Sequence, residues 1–177
     1  MHHAPHRRSI RLKGFDYRWP GAYFVTICTF HKRCVFGAIL ESGVRLSPEG
    51  KVAQQAWVDI PKHFPHAEAG PFVIMPNHVH GIIILNALPA GRRGTACRAP
   101  TSFGRPVAGS LSTIVRSYKS AVTRTVHLRR PFSTPPLWQR GFYERVVRGE
   151  EDLRRIAEYL EENPRRWAED EYFVDRG

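Results

Sequence analysis

"VIMPNHVHGIIIL", residues 73–85, is an apolar run that carries two histidines one residue apart. Because successive side chains of a strand point to opposite faces, His78 and His80 would share one face of a strand over residues 78–85. Two imidazoles on one face converge on a point, as the ligands of a metal ion do. Histidines at this spacing also occur as surface or hydrogen-bonded residues, so the pair alone leaves both interpretations open.

The segments around this run predict the rest of a sheet. Residues 22–30, "AYFVTICTF", are rich in β-branched and aromatic side chains and predict a strand. Residues 71–76 predict another strand, which would form a hairpin with residues 78–85. "LWQRGFYERVVRG" predicts an aromatic turn that leads into a short strand near residues 142–148.

Three further segments predict helices. Ser47 is a suitable N-cap and Pro48 a suitable first helical residue for the segment that follows them. Apolar residues recur at helical spacing over residues 110–128, and acidic residues open a last helix over about 150–162. The order β-α-β-β-α-β with a C-terminal helix predicts an α+β, ferredoxin-like (RRM-like) fold, with an antiparallel sheet and helices on one of its faces.

Length and composition favour one cytoplasmic domain. We expect the 177 residues to form a single domain over 1–177 with its core at 21–167 and flexible termini. Residues 86–109, rich in Gly, Pro and Arg, predict a loop. No apolar run approaches the roughly 18 residues of a membrane span, and the N-terminus lacks the apolar segment of a secretory signal. The three cysteines form no paired framework, which is typical of a reducing cytoplasm.

The charge distribution predicts a polyanionic partner. The formal net charge is +11, and residues 69–143 contain ten Lys or Arg but no Asp or Glu. Such a field attracts nucleic acid, although a basic surface that serves only solubility is the alternative. The basic residues that we expect to follow a nucleic-acid backbone are Lys119, Arg124, Arg140, Arg145 and Arg148.

The last helix carries three polar residues in one row. Arg155, Tyr159 and Asn163 stand four residues apart, beside the apolar stripe by which this helix would dock on the sheet. If the helix docks on the face that carries His78 and His80, a guanidinium, a phenol and an amide come close to the two imidazoles. These groups are the parts of a phosphodiester site.

Each part has a chemical role. A divalent cation, Mg²⁺ or Mn²⁺, held by the two imidazoles and the amide oxygen of Asn163 would leave positions open for phosphate oxygens. Tyr159 would attack phosphorus and form a phosphotyrosyl intermediate with a free 3′-hydroxyl. Arg155 would stabilise the charge of the phosphate in transfer. The alternative for Tyr159 is packing at the edge of the helix–sheet interface.

Four ordered blocks, "MPNHVH", "RSYKS", "LWQRGFYERVVR" and "IAEYLEENP", resemble the REP-associated tyrosine transposases, a group of the single-tyrosine HUH transposases. HUH denotes His, a bulky hydrophobic residue and His, here residues 78–80. The resemblance spans about residues 21–167. It implies that His78 and His80 bind a divalent metal, that Tyr159 is the nucleophile and that Asn163 is a third ligand.

The resemblance also implies the substrate. This group of enzymes cuts and rejoins single-stranded DNA at the foot of imperfect palindromic hairpins. The block around Trp138, Gln139 and Arg140 corresponds to the region that approaches the DNA. The sequence leaves open whether the active form is a monomer or a homodimer.

Two alternatives remain open at this stage. Tyr118, on the preceding basic helix, is a second candidate nucleophile, but Tyr159 alone has a metal-competent amide one turn later. The second alternative is a non-catalytic module that binds single-stranded nucleic acid on a ferredoxin-like sheet. In that module Phe24 and Phe30 would stack on bases if both lie on one face of the first strand.

Overall fold

The structure, a computed structural model, describes residues 20–41, 43–87, 109–128 and 135–174. The elements in chain order are β1 (Gly21–Cys28), β2 (Gly37–Leu40), β3 (Gly43–Leu46), α1 (Pro48–Val58), α2 (Ile60–His63), β4 (Ala67–Ile74), β5 (His78–Leu85), α3 (Leu111–His127), β6 (Tyr143–Val146) and α4 (Gly149–Glu162). Short 3₁₀ helices occupy Phe30–Lys32 and Trp167–Glu169.

Four strands form one antiparallel sheet in the order β4-β5-β1-β6. In a ferredoxin-like chain the first and third strands of the sheet lie in its centre. The strands of this sheet are β1, β4, β5 and β6 in chain order, so its first and third strands are β1 and β5, which do lie in the centre. The predicted α+β fold with an antiparallel sheet is therefore confirmed. β2 and β3 pair separately as a small hairpin that the sequence did not predict.

Two strands differ from their predicted bounds. β4 begins at Ala67, four residues before the predicted start, because a bulge between Ala69 and Phe72 carries the strand past Gly70 and Pro71. β1 ends at Cys28, and Phe30 lies in a 3₁₀ turn in which the next two residues have φ of 53° and 52°. Phe30 is therefore not on the sheet, and the condition under which Phe24 and Phe30 would stack on bases together is not met.

The two faces of β5 have different partners. Val79, Ile83 and Leu85 belong to the main core, which includes residues of α1 and α3. Ile82 lies on the opposite face and packs against Ile156 and Leu160 of α4. Because His78 and His80 share the parity of Ile82, they lie on the α4 side of the sheet.

The helices begin as their sequences predict. The Ser47 hydroxyl accepts the Gly50 N–H at 3.0 Å, and Pro48 is the first residue of α1. In α3, the apolar stripe is buried. In α4, the Asp152 carboxylate accepts the N–H of the N-cap residue Arg148 at 2.9 Å, which satisfies a free donor at the helix start.

The remaining predictions concern the long loop, the two termini and the absence of a membrane span. Residues 88–108 of the predicted 86–109 loop, and residues 1–19 and 175–177 of the termini, lie outside the described residues. Across the part of the chain that the structure describes, we find no helix with the length and apolarity of a membrane span.

Candidate active site

His78 and His80 are buried side by side beneath α4 and residues 167–172, here called the C-terminal segment. Their exposed fractions are 0% and 2%, and their ring centroids are 4.3 Å apart. Burial, with a smaller contribution from Lys32 at His78 and from His78 at His80, lowers the pKa of each imidazole to about 3. Both rings are therefore neutral at neutral pH, which is the form that ligates metals.

Asn77 determines the tautomer of His78. Its amide nitrogen donates to the carbonyls of Lys32 at 3.0 Å and Tyr172 at 2.7 Å, so its amide oxygen is the atom that lies 2.8 Å from His78 Nδ1. An amide oxygen only accepts, and Nδ1 must therefore carry the proton. His78 Nε2 retains a lone pair, is buried, and has no hydrogen-bond partner in the described ranges.

Asp170 completes a triad of candidate ligands. His78, His80 and Asp170 each offer one atom, and these atoms all lie within 4.8 Å of one another. Asp170 Oδ2 is 3.9 Å from His78 Nε2. The sequence analysis missed Asp170, because it follows the 3₁₀ helix Trp167–Glu169 and no local spacing links it to the histidine strand.

Asn163, the predicted third ligand, lies beside this triad. It is the C-cap residue of α4, and its amide nitrogen donates to Asp170 Oδ2 at 3.1 Å. Its amide oxygen is buried and has no hydrogen-bond partner within the described part of the chain.

The donor set fits a divalent cation. Two buried lone-pair atoms, His78 Nε2 and Asn163 Oδ1, lack a donor, and each such atom costs about 1–3 kcal/mol if it stays unsatisfied. A neighbouring carboxylate supplies negative charge. Imidazole nitrogens are ligands for first-row divalent transition metals, and carboxylate and amide oxygens also suit Mn²⁺ and Mg²⁺.

Tyr159 points at the histidines from α4. Its hydroxyl lies 3.2 Å from His80 Nε2, while His80 Nδ1 lies 2.8 Å from the Thr26 hydroxyl. Tyr159 is 41% exposed. Burial and then the carboxylates of Asp170 and Glu171 raise its pKa to about 12, against a lowering by the Asn163 amide. The phenol is therefore protonated at neutral pH and needs activation before it can attack.

Cavities open on both sides of Tyr159. One, of about 400 Å³, is lined by Tyr159, Arg145 and Arg155 together with aromatic residues of the sheet. The other, of about 430 Å³, lies between α4 and the C-terminal segment. Arg145 forms an ion pair with the Asp152 carboxylate, and Arg155 Nη2 lies 3.4 Å from the same group. Arg155, which the sequence predicted to stabilise the phosphate charge, thus lines the same cavity as the Tyr159 phenol.

Several predicted DNA contacts have structural roles. Trp138 is in the main core, and its indole N–H donates to the Lys119 carbonyl at 3.1 Å. The Lys119 ammonium donates to the carbonyls of Gln139 at 2.7 Å and Gly141 at 2.9 Å, and burial lowers its pKa to about 8. These contacts hold the segment that leads into β6.

The other predicted basic residues are exposed at different places. Arg140 lies in the turn before β6. Arg148 precedes α4 as its N-cap. Arg124 lies on α3, whose buried side chains belong to the core on the other face of the sheet from the histidines.

Tyr118, the alternative nucleophile, belongs to the main core. It is 3% exposed, its hydroxyl donates to the Ala53 carbonyl at 3.2 Å, and burial raises its pKa. Its ring packs against Trp57 and Trp138 on the face of the sheet that α4 does not cover. This position favours Tyr159 over Tyr118 as the candidate nucleophile.

The contacts of Asn77 lead to a test of its role. We expect Asn77→Ala to weaken Mn²⁺ binding about 10- to 100-fold, because the His78 ring loses the acceptor that fixes its tautomer. Asn77→Asp retains that acceptor and should bind Mn²⁺ more tightly than Asn77→Ala. Isothermal titration of the folded variants measures both. Equal affinities for Asn77→Ala and the parent chain would remove Asn77 from the site.

Comparisons with known proteins relate nearly the whole chain to one sequence relative and its fold to one solved structure. No family model matches the chain. The fold is similar to that of a REP-associated tyrosine transposase solved with a REP hairpin, with a TM-score of 0.56 and 20% identity over 93% of this chain and 74% of that one. An uncharacterized protein of Haemophilus influenzae is 38% identical over 176 residues, which cover 96% of this chain and 94% of that protein. The chain therefore belongs to the same family as this Haemophilus influenzae protein.

Proposed function

We propose that the protein is a REP-associated tyrosine transposase, which cuts and rejoins single-stranded DNA at palindromic hairpins in a reaction that requires Mg²⁺ or Mn²⁺. The observation that carries this proposal is the 3.2 Å distance between the Tyr159 hydroxyl and His80 Nε2. A phenol from the last helix and an HUH pair from a central strand thus meet in one site. The fold, which is similar to that of a transposase solved with a REP hairpin, supports the same conclusion.

The residues of the chain divide the chemistry among them. His78, His80, Asp170 and Asn163 would hold the cation, which when bound supplies a Lewis acid and a template for the phosphate. The Tyr159 hydroxyl releases its proton and its oxygen forms a bond to phosphorus as the bond from phosphorus to the 3′-oxygen breaks. The 3′-oxygen takes up a proton, so the step releases and consumes one proton each. The phosphotyrosine conserves the phosphodiester energy, so a 3′-hydroxyl can reverse the step without ATP.

The two arginines at the cavity wall would bind the phosphate. Arg155 lies on α4 one turn before Tyr159, and Arg145 lies on β6 beside the same cavity. Arg145 forms an ion pair with Asp152 Oδ1, and Arg155 Nη2 lies 3.4 Å from the same oxygen. The Arg148 N–H donates to Asp152 Oδ2. Guanidinium groups at this wall would neutralise the charge of a phosphate bound beside Tyr159.

The packing of α4 weakens the alternative of a non-catalytic binding module. Such a module binds bases on an open sheet face. Here Ile156 and Leu160 of α4 cover Ile82 on that face, so the face is not open to bases along its length. The same helix places the Tyr159 phenol next to His80. A binding module also offers no reason for two buried neutral imidazoles next to a carboxylate.

A hairpin cleavage assay tests the proposed function. A labelled single strand that folds into an imperfect hairpin, incubated with the protein and Mn²⁺, should give a covalent adduct that survives denaturing electrophoresis. EDTA should abolish the adduct, and a fully paired duplex of the same sequence should not form it. Salt-sensitive binding with no adduct in either metal would support the binding module instead.

Substitution of single arginines tests which of them contact the phosphates of the hairpin. We expect Arg140→Gln to weaken hairpin binding and to reduce the salt dependence by about 0.7 in the slope of log K against log salt, the contribution of one phosphate contact in single strands. The sequence also predicted a contact at Arg124, but Arg124 lies on the opposite helix layer, so Arg124→Gln is the matched control and should leave the slope unchanged. Fluorescence anisotropy at several salt concentrations measures the slopes. An unchanged slope for Arg140→Gln would exclude that contact.

A further inference from the structure

A cavity of about 400 Å³ lies between α4 and the β1–β6 side of the sheet, with Tyr159 at its wall. We propose that this cavity is a nucleotide subsite, which takes one unpaired base and its phosphate next to the bond that is cut. The inference rests on the proposed function, because it assigns the place of the substrate at the same site. Its lining combines aromatic side chains with two guanidinium groups and the carboxylates of Asp152 and Glu171.

The strand register explains why rings and cations share this cavity. Phe24 of β1 is opposite Arg145 of β6, and Thr26 is opposite Tyr143. Because Phe24 and Thr26 lie on the histidine face, the side chains of Arg145 and Tyr143 lie on that face as well. β6 is the edge strand of the sheet, so these two side chains stand at the open side of the cavity.

The aromatic groups continue from the cavity to the candidate nucleophile. The Phe24 ring stacks on His80 with centroids 5.4 Å apart and meets the edge of the Tyr159 ring at 6.2 Å. Tyr143 is 37% exposed at the mouth. A base on this surface would stack on a ring that touches both the ligand His80 and the phenol, so its phosphate would lie beside Tyr159.

The polar groups suit the other parts of a nucleotide. Arg145 forms an ion pair with the buried carboxylate of Asp152, and Arg155 Nη2 lies 3.4 Å from the same oxygen. A guanidinium has five N–H donors, so those that do not reach Asp152 can bind phosphate or the edge of a base.

The size of the cavity limits the occupant. At about 400 Å³ it is near the lower end of the range of ligand sites, roughly 300–1,000 Å³. This volume is sufficient for one nucleotide. A base that stacks on the Phe24 ring inside the cavity has left its own pairing partner, as an unpaired base at the foot of a hairpin has.

Binding of mononucleotides tests the subsite without strand cleavage. We expect deoxynucleoside 5′-monophosphates, titrated into the metal-free protein and followed by amide chemical shifts, to perturb residues that line the cavity. Tyr143→Leu should weaken this binding about tenfold, while Tyr143→Phe should retain it. Phe173→Leu is the matched control, because Phe173 is an exposed aromatic residue outside the cavity. Inorganic phosphate should bind more weakly than the nucleotides.

Two results of this titration would overturn the subsite. One is equal binding by inorganic phosphate and nucleotides; the other is equal nucleotide binding by Tyr143→Leu and the parent chain. If nucleotide binding depends on Tyr143 but the protein never forms a DNA adduct, the proposed transposase function is wrong and the nucleotide subsite still holds. In an active enzyme, an abasic nucleotide next to the cut should slow the parent about tenfold and leave Tyr143→Leu unaffected. A further loss in that variant would also contradict the subsite.

Discussion

Tyr159→Phe is expected to abolish the covalent protein–DNA adduct and to slow hairpin cleavage at least about 10³-fold, because the substitution removes only the attacking oxygen. The ring would still pack against Phe24 and His80, so the fold and the affinity for the hairpin should change little. Denaturing electrophoresis measures the adduct, and fluorescence anisotropy measures binding of the same oligonucleotide.

Tyr118→Phe is the matched control for this experiment. It also removes one phenolic oxygen, but that oxygen donates to the Ala53 carbonyl within the main core. We expect the variant to form the adduct and to lose about 1 kcal/mol in the free energy of unfolding, the typical contribution of one hydrogen bond. An adduct that persists in Tyr159→Phe and disappears in Tyr118→Phe would transfer the nucleophilic role to Tyr118.

His78→Ala is expected to weaken Mn²⁺ binding at least about 10²-fold and to remove metal-dependent cleavage. His78 Nε2 is a buried lone pair with no other partner among the described residues, and the variant deletes it. Isothermal titration gives the affinity. The matched control is His66→Ala, since His66 Nε2 pairs with the Gly109 carbonyl away from the site. Parent-like Mn²⁺ affinity in a folded His78→Ala variant would contradict the metal site.

The same titration separates the two candidate third ligands. Asp170→Ala removes a carboxylate within 4.8 Å of both imidazole donors, and we expect a loss of about tenfold or more. Asn163→Ala removes the neighbouring amide, whose oxygen has no partner in the described ranges. If only Asn163→Ala reduces the affinity, the amide is the third ligand and the Asp170 carboxylate does not contribute to metal binding.

Periodic patterns within single elements predicted much of the fold and part of the candidate site. Alternation in β5 predicted that His78 and His80 share a face, as the structure shows. The spacing of Arg155, Tyr159 and Asn163 beside an apolar stripe predicted which side of α4 would meet the sheet. Such patterns work because one element repeats with a fixed period.

Contacts between distant elements could not be predicted in the same way. Asp170 reaches His78 only because the chain turns back after α4, and its position has no periodic relation to a strand 92 residues earlier. Asn77 likewise depends on carbonyls of Lys32 and Tyr172. Trp138 looked like an aromatic at a DNA surface, but an indole with an internal acceptor serves equally well in a core.

Peptide mapping of the trapped adduct tests the central claim most directly. The claim is that the imidazole pair and the phenol of α4 act on one phosphodiester. After nuclease and trypsin digestion, mass spectrometry should find the residual nucleotide on the peptide of residues 156–165, at Tyr159, in Mn²⁺ and not in EDTA. A nucleotide on the peptide of residues 117–119, or an adduct that forms equally well in EDTA, would contradict the account.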